Sequence, residues 1–256
     1  MKKIDYVLLD PTGNKTLLVT TPVDRSLQPM IASKLMEIEP QAEQAGYFTR
    51  QGKEIGLRMA GGEFCGNATM CAAALAAIED KISQGTMKIH ASGTSKPVPV
   101  AIQALPDGSL QGKLAMPRPI AITETKFGGK TYPLVCFDGI AHVIVEADMD
   151  RKTAEQLAPL WCESLEADAL GLMLLDQENM TMQPLVYVPT ASTLCWENSC
   201  ASGTTAVGVY LFSIRGPLSL SLKQPGGTLH IDADQNGDLF LSGKVRLLHR
   251  QSAIIE

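Results

Sequence analysis

The sequence predicts an α/β chain built as two related domains, and three observations predict it. In "GGEFCGNATMCAAALAA", Gly61 to Ala77, a cysteine sits where a glycine-rich turn gives way to an alanine-rich helix. In "WENSCASGTTAVGVYLF", Trp196 to Phe212, the same order of a Glu, a Cys, small residues and an apolar helix returns. Each helix is then followed by strands and a tight hairpin turn at nearly the same distance: Cys65 precedes Lys113 of "DGSLQGKL" much as Cys200 precedes Lys244 of "NGDLFLSGKV". A unit repeated with its spacing kept reads as duplication.

The elements follow in order. "KIDYVLLDPTGNKTLLVTTP" gives two β-rich runs around Asp10-Pro11-Thr12-Gly13-Asn14, a hairpin-like entry. "SLQPMIASKLMEI" carries apolar residues at helical spacing, and "GYFTRQGKEIGLRMAGGE" returns to strands about a Gln-Gly turn. The Cys65 helix comes next. "MKIHASGTSKPVPVAIQALPDGSLQGKLAMPRP" then gives strands joined by Asp107-Gly108, which closes a first domain, 1–119. The second, 120–247, runs through "TYPLVCFDGIAHVIVEA" (strand, turn, strand), the helix "DRKTAEQLAPLWCESL", the apolar run "ALGLMLL" and the strand "QPLVYVP" to the Cys200 helix. It ends in strands about Asn236-Gly237, and the tail 248–256 is expected to pack back on the first domain.

Composition narrows the function classes. An apolar content of 45% and a charged content of 19% describe a globular chain that needs no metal or disulfide to fold. A net charge of −5 argues against a nucleic-acid surface and suits a small neutral or zwitterionic ligand. The N-terminal "MKKIDYVLLD" is too short and too acidic for a signal peptide, and no run is long enough to span a bilayer, so a cytoplasmic location without membrane contact is expected. Six cysteines without a CxxC are then thiols, with neither a zinc ribbon nor a thioredoxin-like site. Of these, Cys71, Cys136, Cys162 and Cys195 read as small buried side chains.

Cys65 and Cys200 read differently because of where they stand. A helix N-terminus has unpaired N–H groups and a partial positive charge, so it lowers a thiol pKa and binds anions. If two such ends faced one cleft, a substrate carboxylate would be held between two sulfurs, one on each face of the α-carbon. One thiolate then removes the α-proton and the opposite thiol returns a proton to the other face, with no cofactor and no metal.

With these residues in view, the chain resembles the diaminopimelate epimerase family of cofactor-independent amino-acid racemases and epimerases. "FCGNATMC" and "SCASGTTA" resemble the family's two cysteine motifs, "DPTGNKTLLV" its N-terminal Gly-Asn segment, and "GIAHVIV" the strand that carries its active-site His. The resemblance spans essentially the whole chain. It implies two pseudo-symmetric α/β domains, each a β-barrel-like sheet around a central helix, with the active site in the cleft between them. It also implies that Cys65 and Cys200 are the acid/base pair, positioned or deprotonated by His142 and Glu197. Gly66, Asn67, Ala201, Ser202 and Gly203 would bind the α-carboxylate at the helix ends, and Asn14 the amino-acid head group.

Departures from the epimerase pattern point to the substrate. Asn198 follows Glu197 where diaminopimelate epimerases carry an Arg, Ile140 stands where they place an Asn, and the segment before Cys65 is short. A distal carboxylate would lose its guanidinium partner. "MAGGEFCGNAT" and "WENSC" are more similar to the branch that racemises histidine. An imidazole needs a flat pocket and hydrogen-bond partners, for which Glu43 and Gln44 are candidates, with Phe64 or Tyr47 as a wall. The expected activity is therefore amino-acid racemisation, with histidine as substrate and a homodimer left open. Diaminopimelate epimerisation with a rebuilt distal site, racemisation of another amino acid, and a catalytically silent amino-acid-binding protein are the alternatives.

Overall fold

In the computed structural model, residues 2–146 and 149–255 are described; Ala147, expected at the end of a strand, and Glu256 of the expected tail lie outside them. The elements run β1 (Lys2–Pro11), β2 (Thr16–Val19), α1 (Gln28–Ile38), β3 (Gln44–Gln51), β4 (Glu54–Met59), α2 (Gly66–Glu79), β5 (Gln84–Ala91), β6 (Val98–Ala104) and β7 (Leu110–Ala115). They continue with β8 (Ala121–Phe127), β9 (Lys130–Phe137), β10 (Ile140–Glu146), α3 (Arg151–Ser164), β11 (Leu170–Asp176), β12 (Thr181–Val188), β13 (Thr193–Trp196), α4 (Ala201–Arg215), β14 (Leu218–Gln224), β15 (Gly227–Ala233) and β16 (Leu239–Ile255). The chain divides into two compact units, Met1–Ala115 with Ser242–Glu256, and Met116–Leu241.

In the first unit β1 to β7 lie side by side in chain order, and β16 pairs with both β7 and β1, so eight strands close on themselves. The closing ladder is long: Lys2 to Pro11 runs antiparallel to Ile255 back to Val245, with an irregularity at Leu8/Leu9. Closure leaves one inner space, and α2 fills it. Its sequence is apolar on every side, and every residue from Gly66 to Ala77 is buried, as a helix without a polar face requires. Gly112 on β7 makes room, since a Cβ there would lie 3.0 Å from Met70 Cγ. Outside the barrel, α1 lays Ile31, Ala32 and Leu35 on Ile4, Leu17 and Tyr47.

One polar cluster staples the closing strand to this unit. Tyr6 Oη donates to Glu39 Oε1 at 3.0 Å, and His249 Nε2 lies 2.9 Å from the same oxygen. Burial alone would raise the Glu39 carboxyl, but hydrogen bonds with His249, Tyr6 and Gln41 outweigh it and hold the group below its ordinary value. A depressed carboxyl pKa contributes stability that is present above about pH 4.3 and is lost as pH falls through the folded value. Glu39→Gln is therefore expected to lower stability at pH 7 by about 1–3 kcal/mol and to flatten the acid limb of stability against pH, as read by urea unfolding across pH.

In the second unit the ladder runs β8-β9-β10-β11-β12-β14-β15, with β13 attached to β12 and β8 at an edge. β11, "LGLMLLD", is buried along six consecutive residues because α3 covers one face and α4 the other. β8 and β13 are strands that the sequence pattern does not announce. β8 is mostly exposed; it pairs antiparallel with β9 along its whole length, and Phe127 at its end stacks on Trp161 of α3 with ring centroids 4.1 Å apart. Among the described residues no helix is long and apolar enough to cross a membrane.

Candidate functional site

Cys65 is the N-cap of α2. Its backbone is extended, and its sulfur accepts the Ala68 N–H at 3.4 Å. Thr69, one turn on, donates its hydroxyl to the Cys65 carbonyl at 2.7 Å, which locks the first turn. The thiol itself donates to Gln44 Oε1 at 3.1 Å. Gln44 Nε2 in turn donates to Asn14 Oδ1 and to Thr16 Oγ1, and Asn14 Nδ2 donates to Glu43 Oε2 at 2.8 Å. The hairpin loop after β1 and the start of β3 thus bring Asn14, Glu43 and Gln44 to the first thiol. Phe64, half-buried, immediately precedes it.

Cys200 repeats the arrangement in the second unit as the N-cap of α4. Its sulfur accepts the Gly203 N–H at 3.4 Å, and Thr204 Oγ1 donates to its carbonyl at 2.7 Å, the same bonds with the same distances as at Cys65. Ser202 Oγ lies 3.5 Å from the sulfur. Gly203 must stay small, since a Cβ there would fall 2.2 Å from Met173 Sδ. Glu197 is delivered by β13, whose Trp196 is anchored through Nε1 to Glu155 at 2.7 Å under the Arg151 guanidinium.

The two ends differ in exposure, Cys65 being half-buried and Cys200 buried. Cys200 is buried, and burial together with the Glu197 carboxylate pushes its thiol well above the ordinary range; the bonds from Ser202 and Gly203 act the other way and are outweighed. This corrects the expectation that the helix end leaves each thiol acidified: at Cys200 desolvation and a neighbouring negative charge win.

Three further expectations change. His142 is fully buried on β10 (0% exposed), closed in by Gly171, with neither ring nitrogen hydrogen-bonded, so it makes no bond to either thiol. Burial lowers its pKa to about 3, and the ring is neutral. Tyr47 forms no pocket wall, because it lies in the core of the first unit and donates its hydroxyl to the Gln28 carbonyl at 2.6 Å. Cys195 is exposed and Cys136 half-buried, because each lies on a thinly covered strand; Cys71 and Cys162 are buried as expected.

Gln224 is a residue that the motifs do not reveal. Its Oε1 accepts the Cys200 N–H at 2.8 Å and its Nε2 donates to Thr204 Oγ1 at 2.8 Å, so it fixes both ends of the cap. The only signal in the sequence is a Gln closing a strand before Pro225-Gly226, which is common in any turn. Gln224→Ala leaves a buried N–H without its acceptor and is expected to lower stability by about 1–3 kcal/mol in urea unfolding and kcat about tenfold in turnover assays. Among the described residues, no group of three or more His, Cys, Asp or Glu is arranged to hold a metal ion.

Comparison with known proteins places this geometry. A family profile described as the histidine racemase CntK N-terminal domain matches residues 3–248. A histidine racemase from Fusobacterium nucleatum is 32% identical over 256 residues, covering 96% of this chain and 95% of the relative. A histidine racemase from Staphylococcus aureus is 27% identical, covering 99% and 98%. Among solved structures, an epimerase from Pseudomonas aeruginosa, described from prediction, superposes with a TM-score of 0.76 at 14% identity, covering 99% of this chain and 100% of the other. A hydroxyproline epimerase from Agrobacterium vitis with bound trans-4-hydroxy-L-proline gives 0.66 at 10% identity, covering 98% and 92%. The solved structures share the fold, an α+β architecture with a closed eight-stranded barrel. By the extent of the profile match and the identity to its relatives, the chain belongs to the histidine racemase family and is an isomerase of the amino-acid racemase and epimerase class.

Proposed function

We propose that the protein interconverts L- and D-histidine without a cofactor, using Cys65 and Cys200 as the acid/base pair on opposite faces of one α-carbon. The observation that carries this reading is the repeated cap: each sulfur accepts an N–H at 3.4 Å, and each Cys carbonyl accepts a Thr hydroxyl at 2.7 Å. A buried structural cysteine has no need of that geometry twice.

Racemisation requires both helix ends to be presented to one substrate. The backbone N–H groups of the first turns, at Gly66 and Asn67 and at Ala201 and Ser202, hold the α-carboxylate and stabilise the charge that develops on it. In one direction the Cys65 thiolate takes the α-proton as the C–H bond breaks, and the Cys200 thiol gives its own proton to the opposite face. The high Cys200 pKa suits the donor. In the other direction the roles exchange: the Cys200 thiolate left by that turnover takes the α-proton and the Cys65 thiol gives its own to the opposite face, with Glu197 accepting the Cys200 hydrogen bond whenever that sulfur is protonated. His142, neutral and enclosed, is read as packing support for the core under α4. Asn14 and Gln44 orient the head group at the Cys65 end, Glu43 pairs with the imidazole, and Phe64 flanks it.

The histidine assignment draws on the relatives' activity and on Glu43, an acid tied into the Cys65 network. Incubation of the purified protein with L-histidine in D₂O is expected to give α-deuterated histidine together with D-histidine, followed by NMR and chiral chromatography. No exchange with L-histidine beside fast exchange with another amino acid would sink the substrate assignment.

A further inference from the structure

The first unit carries a basic cavity that the racemase chemistry does not use. Its volume is about 230 Å³, and Arg25, Arg58, Lys96, His90, Ser92 and Thr94 contribute to its walls. Three permanent cations meet there and no carboxylate lines it, in a chain whose net charge is −5. None of the three takes part in an ion pair among the described residues, whereas elsewhere in this unit Arg50 is paired with Asp80 and Glu79, and Lys244 and Arg246 with Asp107. Arg58 Nε is buried with no hydrogen-bond partner. Gathering like charges around an unmet donor is unfavourable unless an anion completes the set. The guanidiniums of Arg25 and Arg58 and the Lys96 ammonium are the donors that suit a compact oxyanion, the Ser92 and Thr94 hydroxyl protons being given to the Glu63 and Ala91 carbonyls.

The cavity also touches the turn that delivers Cys65. Ser92, in its wall, accepts the Met59 N–H at 2.9 Å and donates to the Glu63 carbonyl at 2.6 Å. The Arg58 guanidinium lies against Gly62, where a Cβ would come 3.2 Å from Nη2. Gly62 has φ +86, a conformation that other residues rarely adopt, so the turn is built to let Arg58 pass beneath it. Close approach of Gly93 to the Phe64 backbone seals the same side, since a Cβ there would lie 2.5 Å from Phe64 N.

We propose that this cavity is a recognition site for a small multivalent oxyanion, phosphate or polycarboxylate, and that the turn before Cys65 registers its occupancy. Calorimetric titration of the whole chain with inorganic phosphate and with citrate, at matched ionic strength with chloride as the control, tests binding and separates the two anion sources. One of the two is expected to bind saturably with Kd below about 1 mM, and Arg58→Gln and the exposed-loop variant Lys96→Gln are each expected to weaken it at least about tenfold. At saturation, iodoacetamide labelling of Cys65, followed by peptide mass spectrometry, should change by about threefold or more in the wild type and not in Arg58→Gln. Failure of both anions to saturate, equal affinity in both variants, or binding that leaves Cys65 labelling unchanged would each overturn the proposal. These readouts do not depend on histidine turnover.

Discussion

Cys65→Ala and Cys200→Ala are each expected to lower kcat/KM for racemisation by about a thousandfold or more, with the fold retained. On the proposed mechanism each substitution removes the proton carrier on one face of the α-carbon, and a positioned acid or base accounts for roughly 10²–10⁴ in rate. The structural loss is smaller. Each sulfur caps one N–H at 3.4 Å, and loss of a cap costs about 1 kcal/mol. Serine separates the two effects. It is a better N-cap than cysteine, so Cys65→Ser and Cys200→Ser should melt near or above the wild type, yet a hydroxyl is far too weak an acid to yield the base, so racemisation should still fail. One-sided chemistry, such as elimination from a β-substituted substrate, is where a Ser variant can retain turnover. Chiral assays paired with urea unfolding check both halves of this expectation. Near-wild-type racemisation by either Ala variant would remove the two-thiol mechanism.

How much of this was legible in the sequence follows from which forces were local. The strands about Asp107-Gly108 and Asn236-Gly237 and both cysteine helices stand where turn chemistry and apolar pattern put them, because those signals depend on near neighbours. β8 and β13 were not legible: their residues are mostly exposed, and they are strands only because β9 and β12 offer an edge. At the site, the Cys, Gly and Ser positions could be read from two motifs, and the Thr four residues after each Cys was visible in "CGNAT" and "CASGT" without its meaning. Gln224 could not be read, since its contact with Cys200 spans 24 residues and two elements. Nor could the high Cys200 pKa, because a helix end is a local feature whereas burial and the Glu197 carboxylate are set by tertiary packing.

The second large effect concerns substrate choice: kcat/KM for L-histidine should exceed that for LL-diaminopimelate by at least about a hundredfold, equivalent to about 2.7 kcal/mol of differential transition-state binding. Diaminopimelate carries a second carboxylate, which must be desolvated and needs a cation. The side chains that the described hydrogen bonds and charge contacts tie to the thiols include Asn14, Thr16, Glu43, Gln44, Glu197, Ser202, Thr204 and Gln224, none of them basic. If the resemblance to diaminopimelate epimerases holds position by position, Ile140 and Asn198 replace an amide and a guanidinium. A second carboxylate would then sit unpaired near Glu43, a penalty of several kcal/mol. On the proposed reading an imidazole would reverse the sign of that contact, its ring N–H donating to the Glu43 carboxylate, and the pairing would strengthen with the ring charged. Glu43→Gln keeps the shape and the hydrogen-bonding capacity toward Asn14 while removing the charge. It should lower kcat/KM for histidine by about tenfold and narrow the gap to diaminopimelate, whose distal carboxylate no longer meets a like charge. Parallel kinetics of both substrates on wild type and Glu43→Gln decide the matter: equal use of the two substrates by the wild type, or a Glu43→Gln variant with an unchanged ratio, would remove Glu43 as the basis of discrimination and leave the thiol chemistry to stand on the cysteine variants alone.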